Sequence, residues 1–207
     1  LAVRKLAAEH DWSAVAFSCW PKLMPLKGMS GCLVNALLNN GMLPGGCEAD
    51  IGGTLSMLIL KLLSGQSTVL MDLPRFDESD NSLMMWHCGT SPFDMANKRG
   101  VLLERHYFAD YSDDPGMKDC GPAVDVIFKP GDMTVFRVTG EADSFYYFTG
   151  RFMDTQKKAF GGTGLGDLLA DGTKAAAAKI GKGSEKYAMH IKGLELLGDP
   201  VSGGDDP

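Results

Sequence analysis

The sequence lacks the features that mark several common classes of protein. Its five cysteines are odd in number, widely spaced and without a CxxC pair, so neither a disulfide framework nor a structural zinc site is expected. No secretory signal peptide is visible in the charged, amphipathic amino end, LAVRKLAAEH. The longest apolar run, residues 55–63, is too short to span a membrane and contains Lys61. A reducing, cytoplasmic location is therefore predicted.

An excess of positive charge is also missing. The chain has 20 lysines and arginines against 26 acidic residues, a net charge of -6. An acidic surface does not attract nucleic acid or anionic membrane, so neither is expected as a partner. Metal ions and neutral polar substrates stay compatible with this charge. The chain begins at Leu1 without an initiator methionine, and we expect it to be a fragment of a longer protein.

Helix and strand patterns alternate over the first part of the chain, which indicates the end of a parallel α/β layer. The predicted helices cover residues 1–10, 32–39 and 48–63, and the predicted strands cover 14–18 and 67–73. After the acidic segment at residues 77–80, short strand patterns separated by turns indicate an antiparallel, β-barrel-like domain. These strands are predicted at residues 83–87, 100–108, 123–128, 133–138 and 145–152, followed by a helix over 167–180. The predicted division is 1–76 for the α/β part, 77–200 for the barrel-like part and 201–207 for a disordered tail.

Two acidic residues and one histidine are the candidate site residues. Glu48 follows a Gly-Gly turn at the start of an apolar helix, where it is either a functional acid or a first-turn acid that favours the helix dipole. Asp50 suits the second role equally. Asp72 ends the strand predicted over residues 67–73, and ligands of open α/β sheets bind beyond the carboxyl ends of strands. His87, beside Trp86, is either a structural residue or a third ligand, and two carboxylates with an imidazole suit manganese or a similar divalent ion.

The glycine-rich run at residues 161–166, GGTGLG, invites comparison with a phosphate-binding loop. It lacks the lysine and the Ser/Thr of a P-loop, and no strand-to-helix dinucleotide unit surrounds it. We interpret it as a loop. Cys47 and Cys88 flank the candidate ligands, and we interpret both as small packing residues.

The run from Ala14 to Asp94 resembles the L-fucose/L-arabinose isomerase family, in particular its L-fucose-isomerase-like members. The specific part of the resemblance is the pairing of CEAD with MDL, followed by WHCG. The resemblance implies that Glu48 and Asp72 bind a divalent metal such as Mn²⁺ and transfer the proton, and that His87 is a further ligand. It also implies a monosaccharide substrate, conversion between aldose and ketose through an enediol, and a homo-oligomer.

One departure from the family opens alternatives. Aligning Tyr187 and Gly193 with the family pattern places Lys186 where a ligand histidine is expected, and a lysine cation repels a metal. His190 lies three residues later. The alternatives are a non-catalytic carbohydrate-binding or assembly relative, and a metal-dependent epimerase or lyase on the same scaffold.

Overall fold

Residues 2–64 of this computed structural model contain four α-helices, in addition to a π-helical segment at Cys19–Leu23. The α-helices are α1 (Ala2–Glu9), α2 (Met24–Lys27), α3 (Cys32–Asn39) and α4 (Ile51–Ser64). The structure describes residues 2–77, 82–107, 109, 113, 115, 120–139, 142, 144–156, 161–167, 177–179 and 190–192. The helices predicted over residues 1–10 and 32–39 are confirmed, and the third predicted helix begins later, at Ile51.

A short parallel pair supports the α/β prediction for the first part of the chain. β1 (Val15–Ala16) pairs in parallel with β2 (Gly45–Gly46). The helix α3 lies between them in sequence, so these elements form a β-α-β unit of the kind that produces parallel pairing. Arg4 of α1 donates a hydrogen bond to the carbonyl of Leu37 in α3 (2.6 Å), which fixes α1 to this unit.

The remaining strands are mostly antiparallel. They are β3 (Asp72–Asp77), β4 (Ser82–His87), β5 (Leu102–Arg105), β6 (Pro122–Ile127), β7 (Gly131–Thr139), β8 (Ser144–Phe152) and β9 (Gly162–Asp167), with a separate pair formed by β10 (Ala177–Lys179) and β11 (His190–Lys192). The main sheet has the order β3-β4-β9-β6-β5, and the hairpin β7–β8 joins it through β9. Only β6 and β9 pair in parallel among these neighbours. The predicted content of α/β followed by β is confirmed, while the described strands form a branched sheet without closing a ring, so the barrel-like domain stays a prediction.

The core contains two adjoining hydrophobic clusters, both of which contact Met71 and Phe152. α3 contributes Ala36 to a buried cluster with Val124, Val126 and Phe128 from β6 and its end. A second cluster joins β4 to the β7–β8 hairpin through Leu83, Met85, Met133 and Phe148. In β6 all residues after Pro122 are buried, as expected of a strand covered on both faces. In β4 buried residues partly alternate with half-buried ones, as expected of a strand with one face better covered than the other. The candidate site sits where α3 and α4 meet this sheet.

The strand predicted over residues 67–73 is wrong in position and in partner. Residues 67–71 have no strand structure, and β3 begins at Asp72 and runs antiparallel to β4. β3 is the edge strand, and the pairing register shifts between Asp72 and Arg75, where Pro74 lies. A proline has no N–H to donate, so an edge strand at an irregularity tolerates it. The predicted domain boundary at residue 76/77 falls within this strand, and the division into domains stays a prediction.

The glycine-rich run is a strand, not the predicted loop. Residues 162–167 pair along their whole length with β4, from Ser82 opposite Asp167 to His87 opposite Gly162. A Cβ at Gly164 would lie 2.5 Å from the ring of Phe152 and 2.7 Å from that of Phe128. The glycine is required because the strand backbone packs directly on these two rings.

Two further predictions concern the end of the chain. The helix predicted over residues 167–180 is wrong at its two ends, because β9 includes Asp167 and Ala177–Lys179 is a strand. Residues 168–176 and 180 between them, and the predicted tail at 201–207, lie outside the described residues. Every helix in the described part of the chain is too short or too polar to cross a membrane.

Candidate functional site

The short strand β2 carries the chain into the site, and two buried asparagines of α3 hold it in place. Asn39 accepts a hydrogen bond from the N–H of Gly45 (2.7 Å) and donates one to the carbonyl of Thr90 (3.0 Å). Asn35 donates to the carbonyl of Gly46 (3.4 Å). Because both asparagines are buried, their amides satisfy backbone groups that water does not reach. The position of the following residues, 47–50, is therefore set by α3.

Glu48 lies in a tight turn just before α4. Its φ is 59°, and the next residue, Ala49, has φ 57°. Two consecutive non-glycine residues in the left-handed region are uncommon. Backbone hydrogen bonds from Ala49 to Phe17 (2.7 Å) and from Asp50 to Cys47 (3.0 Å) hold this turn. Because of this turn, Glu48 lies before α4 instead of within it, and the residue is exposed.

Asp50, rather than Glu48, has the helix-capping role. It is the N-cap of α4 and accepts a hydrogen bond from the N–H of Gly53 (2.8 Å). Arg137 of β7 contacts both of its carboxylate oxygens, at 2.5 and 3.1 Å. Although burial raises the pKa of Asp50, these hydrogen bonds and the charge of Arg137 lower it below its usual value. The helix predicted to include Glu48 therefore begins after it, because Asp50 supplies the oxygen that α4 needs at its start.

The surroundings of Glu48 favour its protonated form. Although the residue is exposed overall, partial burial of its carboxyl group is the largest cause that raises the pKa of Glu48, and the charge of Cys47 is the next. The carboxylates of Asp72 and Asp50 raise the pKa of Glu48 further, whereas His87 lowers it. Such an effect requires these groups to be close in space. The tertiary structure thus brings the three candidate residues, Glu48, Asp72 and His87, into one neighbourhood.

Asp72 occupies a different structural position from the predicted one. It begins an antiparallel edge strand instead of ending a parallel strand, and it lies opposite Trp86. Its side chain is exposed and has no hydrogen bond or ion pair with any described residue. It also lines a cavity of about 1350 Å³ between α4 and the sheet, together with Arg137 and Tyr146. The argument from strand ends does not apply here, and Asp72 instead lines this cavity, whose lining does not include Glu48 or His87.

His87 ends β4 and is 2% exposed. Its Nδ1 accepts a hydrogen bond from the N–H of Cys88 (2.9 Å), and the hydroxyl of Thr90 lies 3.5 Å from the same atom. Its ring is stacked beside Trp86, with centroids 6.3 Å apart. Because Nδ1 accepts, the neutral ring carries its proton on Nε2. A metal binds Nε2 of His87 only after that proton leaves or the ring turns.

The donor set partly fits a hard divalent metal. Carboxylate and imidazole groups suit Mn²⁺, and neither Glu48 nor Asp72 is paired with a cation among the described residues. A cation between them would offset the repulsion that raises the pKa of Glu48. Within the described part of the chain, however, Glu48, Asp72 and His87 do not form a group whose ligand atoms all lie within 4.8 Å. The three residues are of types that bind Mn²⁺. Their side chains would have to move closer to one another to bind the same ion.

A group that sequence reasoning missed lies beneath the turn. All five cysteines are free and buried, and four of them converge: Cys19, Cys32, Cys47 and Cys88. The Sγ atoms of Cys19 and Cys47 are 2.9 Å apart, and those of Cys32 and Cys88 are 4.0 Å apart. These contacts join residues 28 and 56 positions apart in the sequence, so spacing gave no signal of them. The only hint was that Cys47 and Cys88 adjoin the candidate ligands.

The thiols differ in acidity because, in each contact, the thiol that accepts the hydrogen bond becomes more acidic and the thiol that donates it becomes less acidic. Hydrogen bonds from Cys19, the larger cause, and from Cys88 lower the pKa of Cys47 to about 3, against the effect of burial. A hydrogen bond from Cys88 likewise lowers the pKa of Cys32 to about 6. The pKa values of the donors Cys19 and Cys88 are raised. The negative charge on Cys47 lies next to Glu48 in the chain and helps to raise the pKa of that carboxyl.

The last candidates lie near the end of the chain. Lys186 is outside the described residues. His190 begins β11, whose backbone pairs with β10. The expected position of a further ligand is therefore not addressed by the described residues.

Comparisons with known proteins point to one class of enzyme. The chain is similar to sulfoquinovose isomerases. It is 33% identical to the one from Alkalicoccus urumqiensis over 166 residues, which cover 78% of this chain and 35% of that protein. It is 30% identical to the one from Clostridium sp. (strain MSTE9) over 185 residues, which cover 87% and 39%. A third, from Priestia aryabhattai, is 33% identical over 146 residues, 69% of this chain and 30% of that protein.

These relatives are named as sugar isomerases, which agrees with the class of enzyme that the resemblance implies. The chain spans little more than a third of the length of the first two. The finer placement among L-fucose-isomerase-like members stays a prediction. A family model described as aldehyde ferredoxin oxidoreductase, domains 2 & 3, matches residues 149–201. That match covers a minor part of the chain, most of it outside the described residues, and it does not include Glu48, Asp72 or His87.

Proposed function

We propose that this chain carries the proton-transferring and metal-binding region of a ketol isomerase that interconverts an aldose and a ketose through an enediol. The observation that supports this most is the proximity of Glu48 and Asp72, two carboxylates without a cationic partner among the described residues, where the charge of one raises the pKa of the other. The similarity to sugar isomerases supports the same reaction. The finer placement proposed is within the L-fucose/L-arabinose isomerase family.

The two carboxylates divide the proton transfer. A carboxylate removes the proton from the carbon next to the carbonyl group, and a carboxylic acid returns a proton to the neighbouring carbon, as general acid–base catalysis requires. Glu48 suits this work because its raised pKa makes it a stronger base than an ordinary glutamate. The left-handed turn at residues 48–49 directs its side chain away from α4 and out of the helix-capping role, which Asp50 fills.

A divalent ion such as Mn²⁺ is the proposed cofactor. Glu48, Asp72 and His87 would hold it, and it would supply a positive charge that stabilises the enediolate and acidifies the carbon proton. His87 is buried at the end of β4 with its Nδ1 held by the N–H of Cys88, so it would bind the ion through Nε2 after that atom has lost its proton. With Nδ1 accepting the N–H of Cys88, its Nε2–H is a hydrogen-bond donor, which suits a sugar oxygen equally.

The proposed substrate is a monosaccharide, and sulfoquinovose, the sugar named for the relatives, is the first to test. The cavity beside Asp72 has room for one, at about 1350 Å³, and mixes polar with apolar side chains. We also propose a homo-oligomer and a cytoplasmic location. Large apolar side chains exposed along α4, among them Ile51, Leu62 and Leu63, support an assembly that covers this face.

The alternative is a relative that keeps the fold without the isomerase reaction. Lys186, in place of the expected histidine, favours either a non-catalytic carbohydrate-binding or assembly module or a metal-dependent epimerase or lyase. A lysine near the metal would stabilise negative charge on a substrate in the latter. Product analysis separates these, because isomerisation leaves the carbon skeleton intact and changes an aldose into a ketose.

Manganese titration calorimetry is the first experiment. It uses the protein with whatever further sequence its gene encodes, and compares wild type with Asp72→Asn and with Glu9→Gln, an exposed acid of α1, as control. We expect saturable binding in wild type and Glu9→Gln that is lost in Asp72→Asn. Binding of equal strength in all three would sink the assignment of Asp72.

A second step tests the reaction itself. Sulfoquinovose and a set of common aldoses are incubated with the manganese-loaded protein in deuterated water, and the products are analysed by NMR. We expect a ketose of the same carbon skeleton with deuterium at the carbon that received the proton. Metal binding without any such product would favour the non-catalytic relative, and cleavage or inversion would favour the lyase or epimerase.

A further inference from the structure

The strongest feature that the proposed reaction does not use is the buried cysteine–histidine cluster, defined here as Cys32, Cys47, Cys88 and His106. Two groups of three potential metal ligands overlap at this cluster, and the second of them also includes His87. In the first, one ligand atom each from Cys32, Cys88 and His106 lie within 4.8 Å of one another, and all three residues are buried. The second group consists of Cys47, His87 and Cys88. Cys88 belongs to both.

The sulfur–sulfur distance in the first group is close to that of a metal site. A tetrahedral zinc ion with Zn–S bonds of about 2.3 Å holds two sulfur ligands about 3.8 Å apart. The Sγ atoms of Cys32 and Cys88 are 4.0 Å apart. The imidazole of His106 reaches the same point and is hydrogen-bonded to Cys32, and it supplies a third ligand of a type that such a site uses. The cluster is also closed to solvent, since Cys32 and His106 are 0% exposed and Cys88 is 6% exposed.

The second group is less suited to a metal. Nδ1 of His87 already accepts the N–H of Cys88 (2.9 Å). The Sγ of Cys47 is 2.9 Å from that of Cys19, which is shorter than the separation of about 3.8 Å between two sulfurs on one zinc ion. Cys47 therefore cannot share an ion with Cys19 unless the two move apart. Movement toward Cys88, to which it is already close, would bring Cys47 to the first group.

We propose that Cys32, Cys88 and His106 form a closed structural site for a soft divalent metal ion of the Zn²⁺ type, with Cys47 as its fourth ligand. Thiolate and imidazole ligands select zinc over manganese or magnesium, so this site is chemically distinct from the carboxylates Glu48 and Asp72. It joins α3, the end of β4, the segment after β5 and the turn before Glu48. Four protein ligands leave no open position, so the ion would stabilise the fold and take no part in the reaction.

The first test needs no variant. The full chain is purified under reducing conditions, incubated with one equivalent of ZnCl₂, passed through a desalting column with a weak chelator, and analysed for zinc by mass spectrometry. We expect about one zinc per chain, and X-ray absorption that shows three sulfurs at about 2.3 Å and one imidazole. Less than a tenth of an equivalent, or a shell of oxygen and nitrogen alone, would overturn the proposal.

Variants then locate the ion. His106→Gln and Cys32→Ser are expected to lose the retained zinc and the rise in Tm that zinc causes in wild type. His87→Gln and Cys120→Ser are the matched controls, and both are expected to retain it. Cys120 packs in a separate cluster with Met24 and Ala109. Loss of zinc in His87→Gln together with retention in His106→Gln would overturn the assignment to the first group.

Cobalt substitution provides a check that does not depend on the stability of the variants. Wild type loaded with Co²⁺ in place of Zn²⁺ is expected to show a strong thiolate-to-cobalt charge-transfer band and the intense visible bands of a tetrahedral site. Weak visible bands without charge transfer would indicate cobalt bound to surface oxygen ligands and would contradict the proposal. None of these readouts depends on isomerase activity, so the two proposals fail separately.

Discussion

Arg137 of β7 contacts both carboxylate oxygens of Asp50, at 2.5 and 3.1 Å, and so joins the start of α4 to the long hairpin of the sheet. The same carboxylate caps the helix through the N–H of Gly53. Ser56 adds a second link one turn later, since its hydroxyl accepts the N–H of Val138 (2.8 Å). The residue two positions after Glu48 is therefore tied to a strand 87 residues away, and the site depends on that connection.

Replacement of Asp50 measures the strength of this link. Asp50→Ala removes both the helix cap and the partner of Arg137, and we expect it to lower the free energy of unfolding by about 1–2 kcal/mol. Asp50→Asn is the matched control, because asparagine keeps the capping oxygen and removes only the charge. It is expected to cost less, since the ion pair is partly exposed and screened by solvent. Urea denaturation measures both, and an equal loss in the two variants would show that the charge, not the cap, matters.

The same pair predicts how stability depends on pH. The pKa of Asp50 is lower in the folded protein than in the unfolded chain. Its contribution is therefore complete above the unfolded value, about 4, and is lost as the pH falls through the lower, folded value. We expect the difference in unfolding free energy between wild type and Asp50→Asn to shrink below pH 4 and to stay constant between pH 5 and 7, by denaturant titration at each pH. A difference that grew on acidification would have the wrong sign.

Asn39 is expected to contribute far more to the stability of the fold than its neighbour Asn40. Asn39→Ala leaves the N–H of Gly45 and the carbonyl of Thr90 unpaired in the interior, at a cost of about 2–3 kcal/mol. Asn40 also bonds two backbone groups, the N–H groups of Phe93 and Asp94, but it is exposed, so water replaces its side chain. Asn40→Ala is expected to cost less than about 1 kcal/mol. Thermal and urea unfolding of the two variants test this. Similar losses of stability would show that burial of the asparagine does not determine the cost of its removal.

Gly161 and Gly100 separate the effect of space from that of backbone conformation. Both have a positive φ, 71° and 82°. A Cβ at Gly161 would lie 2.3 Å from the carbonyl oxygen of His87, whereas one at Gly100 would meet nothing within 4 Å. Gly100→Ala therefore isolates the conformational cost, about 1–2 kcal/mol. Gly161→Ala is expected to cost more than about 4 kcal/mol and to disturb the end of β4; equal stability of the two variants would contradict the packing.

Glu48→Gln tests the proposed acid–base role. Glutamine keeps the volume of the side chain and removes its titrating group, so we expect turnover to fall at least about 100-fold while the circular dichroism spectrum is unchanged. Glu9→Gln, an exposed acid in α1, is the control and is expected to retain activity. Wild-type turnover in Glu48→Gln would exclude this residue as the acid or base.

Local patterns predicted α1, α3, most of α4 and most strands, because these depend on neighbours in sequence, but they missed α2. The apolar spacing of residues 32–39 fixed α3 to the residue, and the alternation in 83–87, 123–128 and 145–152 located three strands. The apolar pattern was misleading where pairing with a distant strand determines which residues form a strand. Residues 67–71 are apolar enough for a strand, but the neighbour β4 pairs instead with 72–77. The glycine-rich run became β9 because Phe128 and Phe152 leave room only for a bare backbone.

The sequence by itself determined the candidate residues: the acid after the Gly-Gly turn, the second acid 24 residues later and the histidine of WHCG. Only the tertiary structure decided how they meet. It placed Asp50 instead of Glu48 at the helix start, brought the charge of Asp72 close to Glu48, and gathered four separate cysteines under the same turn. The reason is that electrostatic and thiol contacts depend on distance in space, which the packing of α3 and α4 on the sheet sets and the spacing along the chain does not.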